Sequence, residues 1–503
     1  MPFALSRTVV LGSGTAGCLS ALKLRRDFPT MTVELVRSKK VPIIGVGEST
    51  TAGVPRFLHN QLGLDRGEFW RRVRPSWKLG IRFDWGDPDV SHFHYPFDVS
   101  LDGQHRALAR SNAFYCLGDL TDSSLFRTLM DRGKSPCFLD LAAGHVVDER
   151  GGYHIENKAF VAYLESKIRE PGVEIIDGDV ADVRRRENGD IAELCLEDGR
   201  CIAGDFFVDC SGFASILLDK VLGEPFVSYG DRLFCDRAVI GRWTRTTEPI
   251  YPYTTCETMD HGWCWRIEFA DEIARGYVFA SAFCSDDEAR AEFKRTNPYV
   301  EDERRIIRFR SGRHENFWVK NVAAIGNAAA FVEPLESTAI HNMAEQLRFL
   351  AWALRDSDGR PTDAMRRLEN RRYRQLWDDT RDFITIHYKF NRWRDTPFWR
   401  HCRETIDLGG AAEAVAYYQE AGPSILVKSL LSPGSPFGYE GYYNLLLGQR
   451  VPTRYRGECS EEDRQTWNAL RATNRERAAA ALPMPDALDL IHSENWTWPE
   501  QGW

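Results

Sequence analysis

Residues 12–17 read Gly-Ser-Gly-Thr-Ala-Gly, preceded by the β-branched and apolar run Thr8–Leu11 and followed by a helical pattern from Cys18 to Arg26. Strand, glycine turn and helix in that order bind the pyrophosphate of a dinucleotide. Gly12 permits the tight turn, Gly14 lets backbone approach the phosphates, and Gly17 lets the helix pack closely, while Thr15 and Ala16 offer amide N–H groups at the helix start. The second strand, predicted over Thr32–Val36, runs into Arg37, where such a site normally carries an acid for the adenosine ribose. An arginine there suits a 2′-phosphate, so this turn alone serves flavin and nicotinamide cofactors equally.

Two later segments favour flavin. Phe206–Phe213 predicts a buried strand running into a tight turn at Ser211-Gly212, and Val322–Ala329 predicts another strand meeting a small-residue turn at Gly326-Asn327. Two returns of the chain to a dinucleotide sheet suit an extended FAD. The motif GxGxxG occurs once only, so no separate nicotinamide site is evident and the flavin's electrons must come from another protein.

The composition agrees with a small-molecule enzyme. The 503 residues suggest roughly two large folding units or three smaller ones. With 43% apolar and 27% charged residues the chain has globular proportions. A net charge of -8 without a basic block argues against nucleic acid as a partner. No apolar run approaches the length of a membrane helix, Asn321–Val332 being short and interrupted, and the start of the chain has no signal-peptide profile. The 12 cysteines include no CxxC pair, which predicts reduced core thiols, no metal site and a cytoplasmic location.

From Gly45 onward the chain resembles the flavin-dependent tryptophan halogenases. The matching pieces are Gly45-Val46-Gly47-Glu48-Ser49-Thr50, Trp77-Lys78-Leu79-Gly80-Ile81-Arg82-Phe83, Gly262-Trp263-Cys264-Trp265-Arg266-Ile267, Phe331-Val332-Glu333-Pro334-Leu335-Glu336-Ser337-Thr338, and His387-Tyr388-Lys389 with Asp395-Thr396-Pro397. Singly each is weak; in this order together they are specific. The resemblance implies an α/β, Rossmann-type FAD-binding fold of the flavoprotein monooxygenase kind with a mostly helical C-terminal substrate layer. It also implies reduced FAD, supplied by a separate NAD(P)H-dependent flavin reductase. With O₂ and chloride or bromide, that flavin yields hypohalous acid, which travels through the protein to an aromatic substrate. A homodimer stays open.

By the same resemblance Lys78 and Glu336 are the catalytic pair. An ammonium can hydrogen-bond the oxidant and sharpen its electrophilicity, and a carboxylate beside the ring can take the departing proton. A competing route through a covalent chloramine needs a neutral amine, and an unperturbed lysine is neutral only about one time in two thousand at pH 7. Burial would have to lower its pKa first. Gly47, Glu48, Ser49 and Thr50 correspond to the strap between flavin and substrate, and Gly326 and Leu335 join the residues expected around the flavin. Thr338 and Ala339 correspond to the halide site, with Ala339 in place of the family's usual glycine. Trp263 and Trp265 correspond to the pair that keeps organic substrate from the flavin. Their motif ends in Glu268 where the family has proline, which predicts a less rigid local turn.

The substrate segments depart further. Phe97 matches an aromatic clamp, while Tyr95 stands where a histidine is expected. Glu440, Tyr443 and Asn444 fall on the C-terminal segment that should grip the amino-acid backbone, and Asn444 takes the place of a sandwiching tryptophan. An aromatic wall kept beside a rewritten backbone clamp fits indole or tryptophan, free or within a peptide or larger metabolite. Oxygen insertion by a flavin monooxygenase and a non-catalytic flavin-binding module are the alternatives. Along the chain, residues 1–340 read as the FAD-binding α/β domain with substrate-site segments inserted at about 75–150, and 341–503 as a mostly helical substrate region. Helices are predicted over Ile340–Arg355, Thr362–Ile386 and within Glu461–Ala481, with the tryptophan-rich tail Glu494–Trp503 packed on the body.

Overall fold

A computed structural model describes residues 3–41, 47–98, 108, 114, 120–140, 144–300, 306–455 and 458–498. The six-stranded sheet that opens the chain has the spatial order Glu174–Asp177, Thr32–Arg37, Arg7–Leu11, Phe206–Asp209, Val322–Ala324, Trp318–Val319. The first five strands run parallel and the last is antiparallel. Both expected returns to the dinucleotide sheet are therefore present, Phe206–Asp209 beside the first strand and Val322–Ala324 beside Phe206–Asp209. Central strands covered on both faces are continuously apolar, and Val9, Val10, Phe207 and Val208 are fully buried. Helix Thr15–Asp27 lies against helices Asn157–Arg169 and Ala339–Asp356, which places the glycine turn at the sheet's carboxyl edge.

A second sheet of seven strands is mostly antiparallel. It runs Ile307–Arg308, Arg237–Thr244, Glu272–Phe279, Gly262–Glu268, Thr254–Met259, Gly80–Asp84, Phe93–Pro96. A small sheet of three strands joins the two halves, with Gly152–Ile155 between Glu48–Ser49 and Ser76–Lys78. From Ala339 onward the described residues form helices and their connections apart from the short strand Ala481–Pro483. The long helices Ala339–Asp356 and Asp363–Phe390 pack on each other, and Gly438–Gly448 covers strand Phe93–Pro96. None of the described helices is long and apolar enough to cross a membrane.

Three expectations need correction. Strands Ile191–Leu196 and Cys201–Ala203 pair with Cys195 directly opposite Cys201, and the two form a disulfide. A search for CxxC spacing misses a pair brought together by hairpin register, although the other described cysteines are free. Helix Met484–His492 follows the predicted final helix, which ends at Ala479. Its start carries prolines, which read as a stop but are tolerated in a first turn. Glu268 does not loosen its turn either. It ends strand Gly262–Glu268, fully buried, and its carboxylate is held by Arg245 and by Arg266 at 2.6 Å. The tail packs on the body as expected over its described part, with Arg66 over the Trp498 ring and Trp498 beside Trp70. Gly45, Val46 and Trp503 lie outside the described residues.

Candidate active site

The glycine turn is a cradle that side chains would fill. A Cβ on Gly12 would lie 2.3 Å from the carbonyl oxygen of Cys210, and one on Gly17 would lie 1.8 Å from that of Gly12. Gly14 faces open space instead. The turn at Gly326 closes the cradle from above, since a Cβ there would stand 3.0 Å from the Cβ of Ala16. The helix behind Thr15 has no acidic residue in its first turn, so its amides are open to a pyrophosphate. These features fit the phosphates of a dinucleotide. An open cleft lined by Phe213, Ser215, Asn327, Phe331, Arg308 and Arg310 continues from the two small-residue turns. Arg37 is not a free phosphate receptor. Its guanidinium bonds Asp177 at 2.7 Å and Glu165 at 2.9 Å, so the acids absent from the strand end in sequence are present there in space.

The tryptophan pair lies in strand Gly262–Glu268, and the strap packs at the end of that strand. Gly47 packs on Phe269 and Ile267, and a Cβ there would sit 2.9 Å from the Phe269 ring. Glu48 is held by Asn157 at 2.8 Å, and burial pushes its carboxyl up to about 7. Thr50 is buried and its hydroxyl accepts the N–H of Tyr153. Trp263 and Trp265 are buried with rings 6.0 Å apart. Trp265 lies across Gly276, the residue opposite it in the next strand, where any side chain would collide with the indole. Trp263 donates its indole N–H to Glu333 at 2.8 Å, and Tyr388 donates to the same carboxylate oxygen at 2.6 Å. Burial raises Glu333 to about 7. Glu333 and Tyr388 were not assigned roles from the sequence, although both sit inside motifs that it displays.

Lys78 ends strand Ser76–Lys78 opposite Gly152 and is fully buried. Its ammonium donates to Ser337 Oγ at 2.6 Å and stands 5.0 Å from the centre of the Phe97 ring. Desolvation lowers its pKa to about 7, opposed by Cys256 and by Glu336. The condition for a neutral amine is thus met without excluding the charged form. Glu336, the residue before Ser337, closes the short turn Pro334–Glu336 and is also buried. Its Oε1 meets His387 Nε2 at 2.6 Å, and His387 Nδ1 faces the Phe383 carbonyl at 3.3 Å. His387 is the group that orients Glu336. The sequence displays it within a family motif but gives it no role.

Leu335 is fully buried, and its carbonyl accepts from the Cys256 thiol at 3.8 Å. Ser337 carries the positive φ of 57°, and Thr338 then stands at the N-cap position of helix Ala339–Asp356 without a side-chain capping bond. Ala339 is the first helical residue and has no positive φ, so alanine meets no backbone penalty where glycine was expected. The first turn of this helix contains no acid, which suits an anion.

Aromatic rings wall the chamber. Tyr95 stands edge-on to Phe97 at 6.4 Å, its hydroxyl seated where a Cβ on Gly441 would lie 2.5 Å away. Glu440 and Glu336 lie near enough to act on the Tyr95 phenol, which burial holds well above its ordinary value. Phe383 stacks on Phe437 at 3.8 Å and meets Tyr442 at 5.1 Å. The C-terminal segment thus turns Tyr442 toward Phe383. Tyr443 instead exchanges hydrogen bonds with Ser424, and the Asn444 amide donates to its own helix at the Glu440 carbonyl. One residue of register on a helix rotates a side chain by about 100°, which separates Tyr442 from Tyr443. Among the described residues His92, His94 and Asp131 could meet at a metal, but Arg127 already binds Asp131.

The tryptophan halogenase family model matches residues 7–462. The tryptophan 6-halogenase ThaL of Streptomyces albogriseolus is 31% identical over 447 residues, covering 83% of this chain and 83% of the relative. The crystal structure of MibH, a lanthipeptide tryptophan 5-halogenase, is 38% identical with a TM-score of 0.87, covering 97% of this chain and 94% of that one. The tryptophan 6-halogenase SttH of Streptomyces toxytricini is 28% identical with a TM-score of 0.86, covering 97% of this chain and 100% of that one. The glycine cradle, the tryptophan pair and the buried lysine and glutamate therefore belong to a flavin-dependent halogenase, and the chain is a member of the tryptophan halogenase family.

Proposed function

We propose that the enzyme halogenates the indole ring of a tryptophan carried within a peptide, with Lys78 and Glu336 as its catalytic residues and FAD, O₂ and chloride or bromide as co-reactants. The observation that carries this reading is the convergence of Lys78, Ser337 and Glu336 in one buried, aromatic-walled chamber. Bound reduced flavin, delivered by a separate NAD(P)H-dependent reductase, supplies the hypohalous acid together with O₂ and halide. The chain does the rest. The cradle at Gly12, Gly14, Thr15, Ala16 and Gly17, with Gly326, holds the pyrophosphate, and Gly47 to Thr50 with Leu335 border the flavin. Thr338 and Ala339 offer amides to the halide.

In the chamber Lys78 donates to the oxygen of hypohalous acid and weakens its bond to halogen. As that bond breaks and the carbon–halogen bond forms, the leaving hydroxide takes the proton that Lys78 donates and departs as water. Glu336 faces the cationic ring and accepts the proton released from the substituted carbon. The Phe97 and Tyr95 rings hold the indole flat, a contribution of about 0.5 to 1.5 kcal/mol for a well-placed aromatic pair beyond area burial.

A peptide substrate is favoured over free tryptophan by the backbone clamp. Tyr443 and Asn444 point to their own helical layer, so the group that would grip an amino acid is not assembled as expected. The higher identity to the lanthipeptide tryptophan 5-halogenase than to the tryptophan 6-halogenase SttH agrees. The test supplies the protein with FAD, a reductase, NADH and bromide or chloride, and offers tryptophan-containing peptides, tryptophan and indole. Mass spectrometry is expected to find halogenated peptide as the main product. Oxygenated product, or halogenation confined to free tryptophan, would overturn the proposal.

A further inference from the structure

Lys78 heads a chain of hydrogen bonds that the halogenation reaction as described does not use. Its Nζ donates to Ser337 Oγ at 2.6 Å, and Ser337 donates to Ser49 Oγ at 3.0 Å. Ser49 meets Thr254 Oγ1 at 2.7 Å, and Thr254 meets His154 Nε2 at 2.8 Å. His154 Nδ1 reaches Ser76 Oγ at 3.3 Å, and Ser76 donates to the backbone carbonyl of Glu268. The sheet explains the alignment. His154 stands directly opposite both Ser49 and Ser76, and Lys78 is two residues from Ser76, so all four side chains share one face. Thr254 reaches in from the larger sheet. Ser76, Lys78 and His154 are fully buried, Thr254 and Ser337 are 3% exposed, and Ser49 is half-buried.

The two ends fix the direction of every bond. A charged lysine only donates and a carbonyl only accepts. With Ser76 donating to Glu268, His154 must donate from Nδ1 and accept at Nε2, and the three hydroxyls between it and Lys78 must all point toward the imidazole. The result is a one-way wire with a basic nitrogen at its end.

We propose that this wire, through Ser337, Ser49 and Thr254, is the path by which Lys78 lends a proton to His154 and takes it back, making His154 a positioning residue for the protonation of the catalytic lysine. The inference rests on the assignment of Lys78 above. The transfer balances: the Nζ–H bond breaks as the Ser337 O–H forms, each hydroxyl hands on its own hydrogen, and the last proton arrives at Nε2. Lys78 is left as an amine and His154 as an imidazolium. No charge enters or leaves the buried region, so a neutral amine appears without water entering the chamber.

The surrounding charges set which state rests. Lys78 faces Glu336 with its partner His387, and Cys256. His154 faces Lys78 itself and Arg245, the latter joined with Arg266 on the Glu268 carboxylate. Burial and the Lys78 charge hold the imidazole well below its ordinary value, so a proton shared between the two rests on Lys78 and not on His154. Once Lys78 gives up its proton, its repulsion of the imidazolium vanishes.

Two measurements test this. In the full-length protein labelled with ¹⁵N-histidine, the His154 ring, assigned by its loss in His154→Phe, is expected as the neutral tautomer protonated at Nδ1. Its Nε2 resonance is expected to move in Lys78→Met, four bonds of the wire away. An Nε2-protonated ring, or no shift in Lys78→Met, overturns the proposal. Thr254→Val cuts the wire with little change of shape. It is expected to lower kcat about tenfold at pH 7 with KM unchanged within about twofold and to move the pH profile, while Thr254→Ser restores both. A Thr254→Val enzyme with wild-type kcat and pH profile overturns it too. If Lys78→Met retains full halogenation, the assignment of Lys78 itself fails, which the tautomer measurement leaves separate.

Discussion

The cradle around Gly12 and the chamber around Lys78 place reacting groups by opposite means. In the cradle, close backbone contacts come from one short stretch and the two strand ends beside it, and the residue that matters at each position is the one without a side chain. In the chamber, Lys78, Glu336, His387 and Phe383 arrive from a strand end, a turn and a long helix, and each is fixed by what a distant segment offers it. A pyrophosphate needs only amides and room, which local sequence supplies. A buried ammonium needs partners, because desolvation otherwise removes its proton. The comparison predicts that damage to the chamber abolishes chemistry and spares flavin binding, whereas damage to the cradle does the reverse.

The largest effect is expected in the chamber. Lys78→Met should lower kcat by about 10² to 10³-fold, the loss seen when a charge-stabilising donor is removed, with flavin affinity unchanged. Steady-state halogenation beside a flavin fluorescence titration measures both, and a parallel loss of flavin would erase the distinction between the regions. Glu336→Gln should cost about 10²-fold, the lower range for a general base, because the amide still fills the space beside His387. Next comes the cradle. Gly17→Ala puts a methyl 1.8 Å from the Gly12 carbonyl oxygen, and backbone rather than a flexible side chain must move. About 3 kcal/mol of stability and most flavin binding should be lost, read by denaturant unfolding and the same titration.

The same contrast explains what the sequence disclosed. The strand-turn-helix at Arg7–Asp27 is spelled out by apolar periodicity and glycine spacing, and both later strands announce themselves as unbroken apolar runs ended by small residues. Lys78 and Glu336 were reachable only through motif resemblance, since nothing local distinguishes a buried lysine at a strand end from a solvated one. Ser49 was legible only as part of the strap motif, and His154 and Thr254 gave no motif signal at all. Their one hint is a polar residue inside a short strand, Tyr153-His154-Ile155, whose partners are known only when register is known. That Tyr442 meets Phe383 while Tyr443 turns to Ser424 was not legible either, because which residue of a helix faces inward depends on a single residue of register.

Smaller effects sharpen the comparison through pH. The folded pKa of Lys78, about 7, lies below its value of 10.5 in the unfolded chain. Between these values the unfolded state binds the extra proton, so stability rises with pH across that window and is lost as pH falls toward 7. Lys78→Met removes this dependence. It should be more stable than wild type near pH 7 by about 1 to 2 kcal/mol, with the gap closing toward pH 10. Thermal unfolding of both proteins across that range measures it. A constant gap would mean that the lysine is not desolvated.

Ala339→Gly should do least. If the halide site depended on glycine, restoring it would raise halide affinity. The structure argues otherwise, because the left-handed conformation that favours glycine falls on Ser337, and Ala339 is already helical. Glycine at the start of helix Ala339–Asp356 would add backbone entropy to the unfolded chain and destabilise by at most about 0.5 to 1 kcal/mol. Bromide and chloride dependence of kcat should stay within about twofold of wild type, because the first-turn amides keep their direction. A marked gain in halide affinity would show that the amide at residue 339 turns outward to meet the ion, and that the halide site, unlike the cradle, is shaped only when its ligand arrives.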